Sequence, residues 1–460
     1  MTPHADEFRR AAHEAVDWIA DYLENARKFP VLPRMNPGDL IDRLPRSAPE
    51  RGEPLGTILD DFYKLILPAV THWNHPRFMA YFSISASGPG ILGEMLAAAI
   101  NANGMLWKTS PAGTELEEVT LGWLRQWLGL PEEFFGIIYD TASVSTLHAI
   151  AAARELADPE ARDRGSAQNL TLYASEQAHS SVEKGAIALG IGRRNVRKIP
   201  VDAEFRLRPE ALAAAVEEDR SSGKKPFCVV ATVGTTSTTS VDPVSQIADV
   251  AEKYDLWLHV DAAYAGAAAI LPECRYILAG AERADSLVMN PHKWLFTPID
   301  LSAFYTRRPH VLRRAFLLVP EYLRTEEDPR AVNYMDYGVQ LGRRFRALKL
   351  WFVLRYFGRE GVAGILRSHV GWARQLAELI DADERFERVA PVPLSVVCFR
   401  YKGSDDDNRR LLENVNRSGK AFLSHTVLNG RFVLRLAIGN LGMTQEDVEE
   451  AWELVKSSIP

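Results

Sequence analysis

Apolar residues recur every three or four positions over residues 5–28. At that spacing Phe8, Ala12, Ala15, Ile19 and Tyr22 fall on one face of a helix. The next stretch holds Pro30, Pro33, Pro37, Pro45, Pro49 and Pro54, which excludes one helix or a central strand. A second helix is predicted near residues 56–70, with Leu59, Phe62, Leu65 and Ile66 as its apolar positions. This N-terminal unit has little core of its own, so it has to pack on the main body or on a second subunit. From about residue 88 to 310 short apolar runs alternate with helical periods. Strands are predicted at 136–139, 170–174, 196–199, 227–233, 257–260, 286–289 and 301–305, with helices such as 146–156 and 209–219 between them. That alternation predicts an α/β domain with a mainly parallel central sheet. Ligands of such sheets sit beyond the carboxyl ends of the strands. Residues 326–330 are charged, lack an apolar period and read as a mobile loop, and a long helix resumes near residue 343. Strands at 394–401 and 431–437, with helices at 408–415 and 444–456, predict a small C-terminal α+β domain. The expected division is 1–85, 86–370 and 371–460.

Composition narrows the class without naming the chemistry. The 460 residues are 47% apolar and 25% charged, which excludes a disordered or collagen-like chain. Lys and Arg number 54 against 60 Asp and Glu, a net charge of -6. No strongly basic surface follows, so no nucleic acid and no anionic membrane is expected as partner. Cys228, Cys274 and Cys398 are far apart, so no disulfide framework or cysteine metal site is readable, and no metal is expected. The first residues lack an apolar signal region, and no apolar run approaches the ~18 residues of a membrane helix. The expectation is a soluble, cytoplasmic protein.

The usual catalytic signatures are missing. Gly190-Ile-Gly192 is not completed to GxGxxG, Gly223-Lys224 lacks the upstream glycine of a P-loop, and neither HExxH nor GxSxG occurs. Four polar clusters at predicted strand ends remain. Asp261, in His259-Val-Asp-Ala-Ala-Tyr-Ala-Gly266, is either a helix N-cap or the partner of a buried cation. Lys293, in Asn290-Pro-His-Lys-Trp294, is either a solvated loop lysine or an amine with a depressed pKa suited to imine chemistry. The hydroxyls of Thr141, Ser143, Ser145 and Thr146 form either a capping run or an anion site at a helix N-terminus. His179, in Gln177-Ala-His-Ser-Ser181, is either structural or a flat ring beside a ligand. Together they offer an amine nucleophile, a carboxylate, an imidazole and a phosphate cradle. That inventory suits pyridoxal phosphate, which needs an imine lysine and a pyridinium partner.

In the segments around Lys293 and Asp261 the chain resembles the pyridoxal-phosphate-dependent group II decarboxylases. Within them it is most similar to the aromatic-L-amino-acid decarboxylases, including tryptophan, dopa and tyrosine decarboxylases. Further matching segments are FMAYF at 78–82, SPAGTELE at 110–117, QAHSSVE at 177–183, TVGTT at 232–236, PEYL at 320–323 and LGRRF at 341–345. The resemblance covers about residues 5–455. It implies the fold of type I pyridoxal-phosphate enzymes, with an N-terminal helical dimerisation arm, a large cofactor domain and a small C-terminal domain. It also implies a homodimer with shared active sites. Lys293 would hold the cofactor as a Schiff base, and Asp261 would keep its pyridinium nitrogen protonated. His179 and Ala263 would cover the two ring faces, and Thr236 would lie near the ring hydroxyl. Ala142, Ser143, Asn290 and His292 would bind the phosphate, with Leu341 and Gly342 approaching from the partner subunit. Tyr322 would protonate the substrate α-carbon from a loop over the neighbouring site. Tyr81 and Phe82, with Met105 from across the dimer, would line the substrate pocket.

Some positions depart from the family pattern. Ser83 stands where Pro is common, Met105 where Phe is, Asn103 where an apolar residue is, and Lys108 where a small residue is. These leave the reaction type intact and make the pocket more polar or roomier. The small Gly342 favours a bulky indole or catechol. Positions 81–82 offer no cation for a second substrate carboxylate, which argues against glutamate. Two other readings stay open. An aldehyde synthase on the same scaffold would typically have Phe at 322 or lack the histidine at 179. A non-catalytic binding protein would have lost Lys293 or Asp261.

Overall fold

The computed structural model describes residues 5–165, 169–318 and 330–460. Tyr322, the PEYL segment and most of the predicted 326–330 loop lie outside the described residues. Helix α1 (Ala5–Asn25) ends in a single 3-10 turn, close to the predicted 5–28. Its Trp18 packs edge-on against Phe62, at 5.3 Å between ring centroids. The second predicted helix is α-helical only over α2 (Leu55–Asp61). It then passes through a π turn (Phe62–Ile66) and a 3-10 turn (Leu67–Ala69). Pro68 lacks the N–H that a regular turn there would use.

Strand β1 (Phe78–Met79) follows, and then two helices that periodicity did not reveal. These are α3 (Gly88–Ile100) and α4 (Pro111–Leu128). In α3 the sequence GPGILGEMLAAAI has almost no polar face, so it shows no amphipathic period. Gly93 is required there, since an added Cβ would lie 2.7 Å from the Lys349 Cα.

The large sheet contains β2 (Phe135–Tyr139), β3 (Leu170–Ser175), β4 (Val196–Ile199), β5 (Lys225–Thr232), β6 (Trp257–Asp261), β7 (Ser286–Met289) and β8 (Ser302–Thr306). Their spatial order is β2-β8-β7-β6-β5-β3-β4. Only β8 runs against its neighbours β2 and β7, and the other pairs are parallel. Strands β3, β6 and β7 are buried along their whole length. Burial on both faces is why they read as continuous apolar runs rather than alternating ones. Register sets Thr232 opposite Asp261 and Asp261 opposite Val288. The ends of β5, β6 and β7 therefore deliver Thr232, Asp261 and Asn290 to one edge. Helix α5 (Ala142–Ala157) starts just past β2.

The smaller sheet has the order β1-β11-β12-β10-β9. Its later strands are β9 (Phe386–Arg388), β10 (Val396–Tyr401), β11 (Phe422–Leu428) and β12 (Arg431–Ala437). The long helix begins at Arg346 and runs to Asp381, broken at Gly358, which takes φ 60° and ψ 172°. It starts three residues later than predicted, because Arg343 is turned inward. Arg343 Nη2 lies 2.7 Å from Glu117 and donates to the Ile138 carbonyl, and Glu117 accepts the Ile138 N–H at 2.8 Å. Both side chains are buried, so this pair ties α4, β2 and the approach to the long helix together.

Removing one partner of a buried pair leaves the other charge uncompensated, at a cost of about 3–5 kcal/mol. Arg343→Ala should lower the urea midpoint accordingly. Arg417→Ala, which loses an exposed contact with Glu413, should leave that midpoint unchanged.

Candidate active site

A cavity of about 230 Å³ opens where those strand ends meet. Of the residues singled out in the sequence, Phe82, Ala142, Ser143, His179, Thr236, Asp261, Ala263, Asn290, His292 and Lys293 all line it. Thr141, Thr232, Gly234 and Tyr264 line it as well.

Lys293 follows β7 in a single helical turn (Pro291–Trp294) preceded by Asn290 in extended conformation. Its amine lies 5.2 Å from the centre of the Phe82 ring. Burial is the largest influence on this amine and pulls its pKa below the ordinary lysine value; Asp261 opposes that, and Arg435 adds to it. Asp261 Oδ1 accepts the Ala263 N–H at 3.1 Å. The carboxylate is thereby oriented by its own turn instead of capping a helix.

His179 Nδ1 is 2.9 Å from Ser181 Oγ and accepts the Ser181 N–H at 3.2 Å. Its remaining ring nitrogen carries the proton in the neutral form. Burial holds its pKa below the usual histidine value, Asp261 pulls the other way, and Lys293 and Lys184 reinforce burial. His292 Nδ1 accepts the Leu301 N–H at 2.9 Å, which leaves Nε2–H as its donor. Burial, followed by the neighbouring Lys293, pushes its pKa down to about 3.

Thr141 caps α5 in an extended conformation, so the first N–H groups of that helix are free of intrahelical partners. Only the first turn reaches the cavity. Of the four hydroxyl residues in this run, Thr141 and Ser143 line the cavity, whereas Ser145 Oγ is 2.8 Å from Ser302 Oγ and Thr146 is fully buried. Helical rotation carries them away from the opening. Gly234, at φ 87°, allows the 232–240 loop to pass Ala265. An added Cβ would lie 2.4 Å from the Ala265 Cβ.

An aromatic column supports the site. Phe82 stacks on Tyr264 at 3.8 Å, and Tyr264 on Trp294 at 4.8 Å. Trp294 Nε1 donates to His369 Nδ1 at 2.9 Å, on the long helix. Tyr264 lay inside a motif already singled out, but nothing in the sequence marked it as a stacking partner. Arg435 of β12 was missed altogether. It is buried, its guanidinium carbon is 4.6 Å from the Phe82 ring centre, and it donates to the Tyr81 and Ser237 carbonyls. It brings to Phe82 a cation that positions 81–82 alone did not reveal.

Four expected residues lie elsewhere in the chain. Tyr81 is 56% exposed with φ 51°. Met105, Leu341 and Gly342 do not line the Lys293 cavity. Gly342 lies beside Asn103, whose Oδ1 accepts the Arg343 N–H at 3.0 Å and whose amide reaches Met105 Sδ.

The residues fit pyridoxal phosphate. A buried amine and a carboxylate share one cavity with a helix N-terminus and the His292 donor. Asn290 Oδ1 and Thr232 Oγ1 are buried there without partners. Comparison with known proteins gives the class directly. The chain belongs to the pyridoxal-dependent decarboxylases, whose conserved domain matches residues 37–402. It is 43% identical to the aromatic-L-amino-acid decarboxylase of Bos taurus, over 98% of this chain and 96% of that one. A structure of Oryza sativa TDC with PLP and tryptamine superposes with a TM-score of 0.95. It is 39% identical and covers 100% of this chain and 98% of that one. The 4-hydroxyphenylacetaldehyde synthase of Rhodiola rosea superposes at 0.93 with 36% identity, over 100% of this chain and 99% of that one.

Two outcomes follow for the apoprotein. His292→Phe removes a donor to an anion, a bond worth about 1.5–3 kcal/mol. It should weaken pyridoxal phosphate binding about ten- to a hundredfold in an absorbance titration. An ordinary lysine loses about tenfold of its free amine between pH 9 and 8. Because the Lys293 pKa is lowered, more of its amine stays unprotonated. The measured rate of cofactor capture should fall less than that over the same interval.

Proposed function

We propose that this protein decarboxylates an aromatic L-amino acid to its arylalkylamine and CO2, with pyridoxal phosphate as cofactor. The observation that carries this reading is the meeting of Lys293, Asp261 and His179 in one cavity with the N-terminus of α5. Bound pyridoxal phosphate supplies a conjugated ring that takes up the electron pair left when CO2 departs. The residues of the chain do the rest. Lys293, its pKa lowered by burial, would hold the cofactor covalently. Asp261 would hold a proton on the ring nitrogen. His179 and Ala263 would lie against the two ring faces, and Thr236 near the ring hydroxyl. Ala142, Ser143, Asn290 and His292 would bind the phosphate through N–H groups and the free donor of His292.

Phe82 offers a flat apolar wall, which supports an aromatic side chain on the substrate. Similarity to the Bos taurus and Oryza sativa proteins supports the same substrate class. Tyr322, outside the described residues, would return a proton to the substrate α-carbon.

The working unit in this reading is a homodimer. Leu92, Met95, Leu96 and Ile100 expose 40–60% of their surface along α3, an apolar face that a second subunit would cover. Leu341, Gly342 and Met105 would then serve the partner's cavity, and Tyr81 would line the substrate side. No described helix is long and apolar enough to cross a membrane, and a cytoplasmic location belongs to the same proposal.

The Rhodiola rosea neighbour keeps a second chemistry in view, oxidative conversion to an aldehyde. Purified protein with tryptophan, 5-hydroxytryptophan, dopa, tyrosine and phenylalanine should yield amine and CO2 without hydrogen peroxide. Peroxide and aldehyde in step with substrate loss would assign the synthase instead. Lys293→Ala should lose both turnover and cofactor absorbance, and turnover that survived it would refute the site.

A further inference from the structure

The segment 337–342 is fastened to the start of α5 at three points. Tyr139, the last residue of β2, donates its hydroxyl to the Tyr337 carbonyl. His148 lies nearly two turns into α5. Its Nδ1 donates to the Val144 carbonyl at 2.6 Å, and its Nε2 accepts the Val339 N–H at 3.2 Å. It is stacked on Tyr139 at 4.2 Å. A Cβ on Gly338 would lie 2.8 Å from His148 Nε2, so the segment sits directly against the ring. The third point is Asp140. Its Oδ2 accepts from Gln340 Nε2 at 2.7 Å, and its Oδ1 lies 2.6 Å from Arg346 Nη2. Arg346 also holds Asp300 at 2.9 Å, next to Leu301, whose N–H orients His292.

The position of this fastening matters. Asp140 immediately precedes Thr141, Ala142 and Ser143, which line the cavity of their own chain. Gln340 immediately precedes Leu341 and Gly342, which do not. Each end of the Asp140–Gln340 bond is therefore directly adjacent in the chain to one of these elements, leaving almost no slack between them. We infer that Asp140 is a positioning residue whose bond to Gln340 sets the phosphate cradle of one subunit against the segment offered to the other. This rests on the reading above that Leu341 and Gly342 serve the partner's cavity. One side chain then adjusts two cofactor sites. Displacing it loosens residues 141–143 in its own subunit and residues 341–342 in the neighbouring site.

The test titrates apoprotein with pyridoxal phosphate and follows bound-cofactor absorbance, with sedimentation reporting the dimer. A hydrogen bond to a charged group is worth about 1.5–3 kcal/mol. Gln340→Ala should therefore weaken cofactor binding about tenfold while the dimer persists. Asp140→Ala should weaken it at least as much, and the double variant no further, since the two act through one bond. Asp140→Asn keeps an oxygen for Gln340 and should bind within about threefold of the parent. An Asn variant as weak as Ala would overturn the proposal by assigning Asp140 to charge pairing with Arg346. So would dissociation of the Gln340→Ala dimer, since the effect would then be assembly. Gly342→Phe separates the two layers of the argument. If it weakens binding while Gln340→Ala does not, the positioning role fails and the shared-site reading stands. If neither variant affects binding, the shared-site reading fails and takes the proposal with it.

Discussion

A lysine amine buried beside a carboxylate is the constraint around which the rest of this structure is arranged. Taking a charged amine out of water is costly, so burial drives Lys293 toward its neutral, nucleophilic form. Asp261 works against this, and its Coulombic pull keeps the amine from being a simple buried base. Balancing the two requires that neither side chain wander. The parallel sheet meets that requirement by ending β5, β6 and β7 in register at one edge. The Ala263 N–H then fixes the carboxylate, and the Phe82–Tyr264–Trp294 column fixes the walls.

The column also explains why the two sheets act together. Phe82 comes from the chain just after β1, in the smaller sheet, yet it forms a wall of the cavity in the larger one. Arg435, from β12, holds the Tyr81 carbonyl and the Ser237 carbonyl at once. The first contact anchors the segment that carries Phe82, and the second anchors the loop that carries Thr236. A shift of the smaller sheet would move a cavity wall and a cavity loop in the same direction.

Sequence patterning made the large sheet legible for a definite reason. Its central strands β3, β6, β7 and β8 are buried on both faces, and their apolar runs survive any register. The polar residues at their ends were conspicuous because so few polar groups belong there. Lys293, Asp261, His179, His292 and Asn290 were therefore found together. Helices α3 and α4 were not legible, because α3 carries no polar face and α4 hides its charged Glu117 inward against Arg343. Arg435 escaped because it sits in an ordinary strand, about 140 residues beyond the lysine it influences. Its role arises only from how the two sheets pack. Asp140 and Gln340 escaped for the same reason. Each is an unremarked neighbour of a noticed residue, and only the fold puts them 2.7 Å apart.

The balance of charge at the cavity follows from these placements. Lys293 and Arg435 both lie against one aromatic ring, and burial is the largest influence lowering both pKa values. Among the described residues no carboxylate pairs with Arg435, and its Nη2 has no partner. Asp261 is the acidic residue lining the cavity, while the buried guanidinium of Arg435, against Phe82, has no fixed counterion among the described residues. A phosphate and an amino-acid carboxylate are both anionic, and each would need donors at its own wall of the cavity. In the proposed reading the phosphate would meet the N-terminus of α5 and His292, and the substrate would enter on the Phe82 side. The free His292 donor and the unpartnered Arg435 Nη2 are held in place before either anion arrives, which is electrostatic preorganisation in its physical sense.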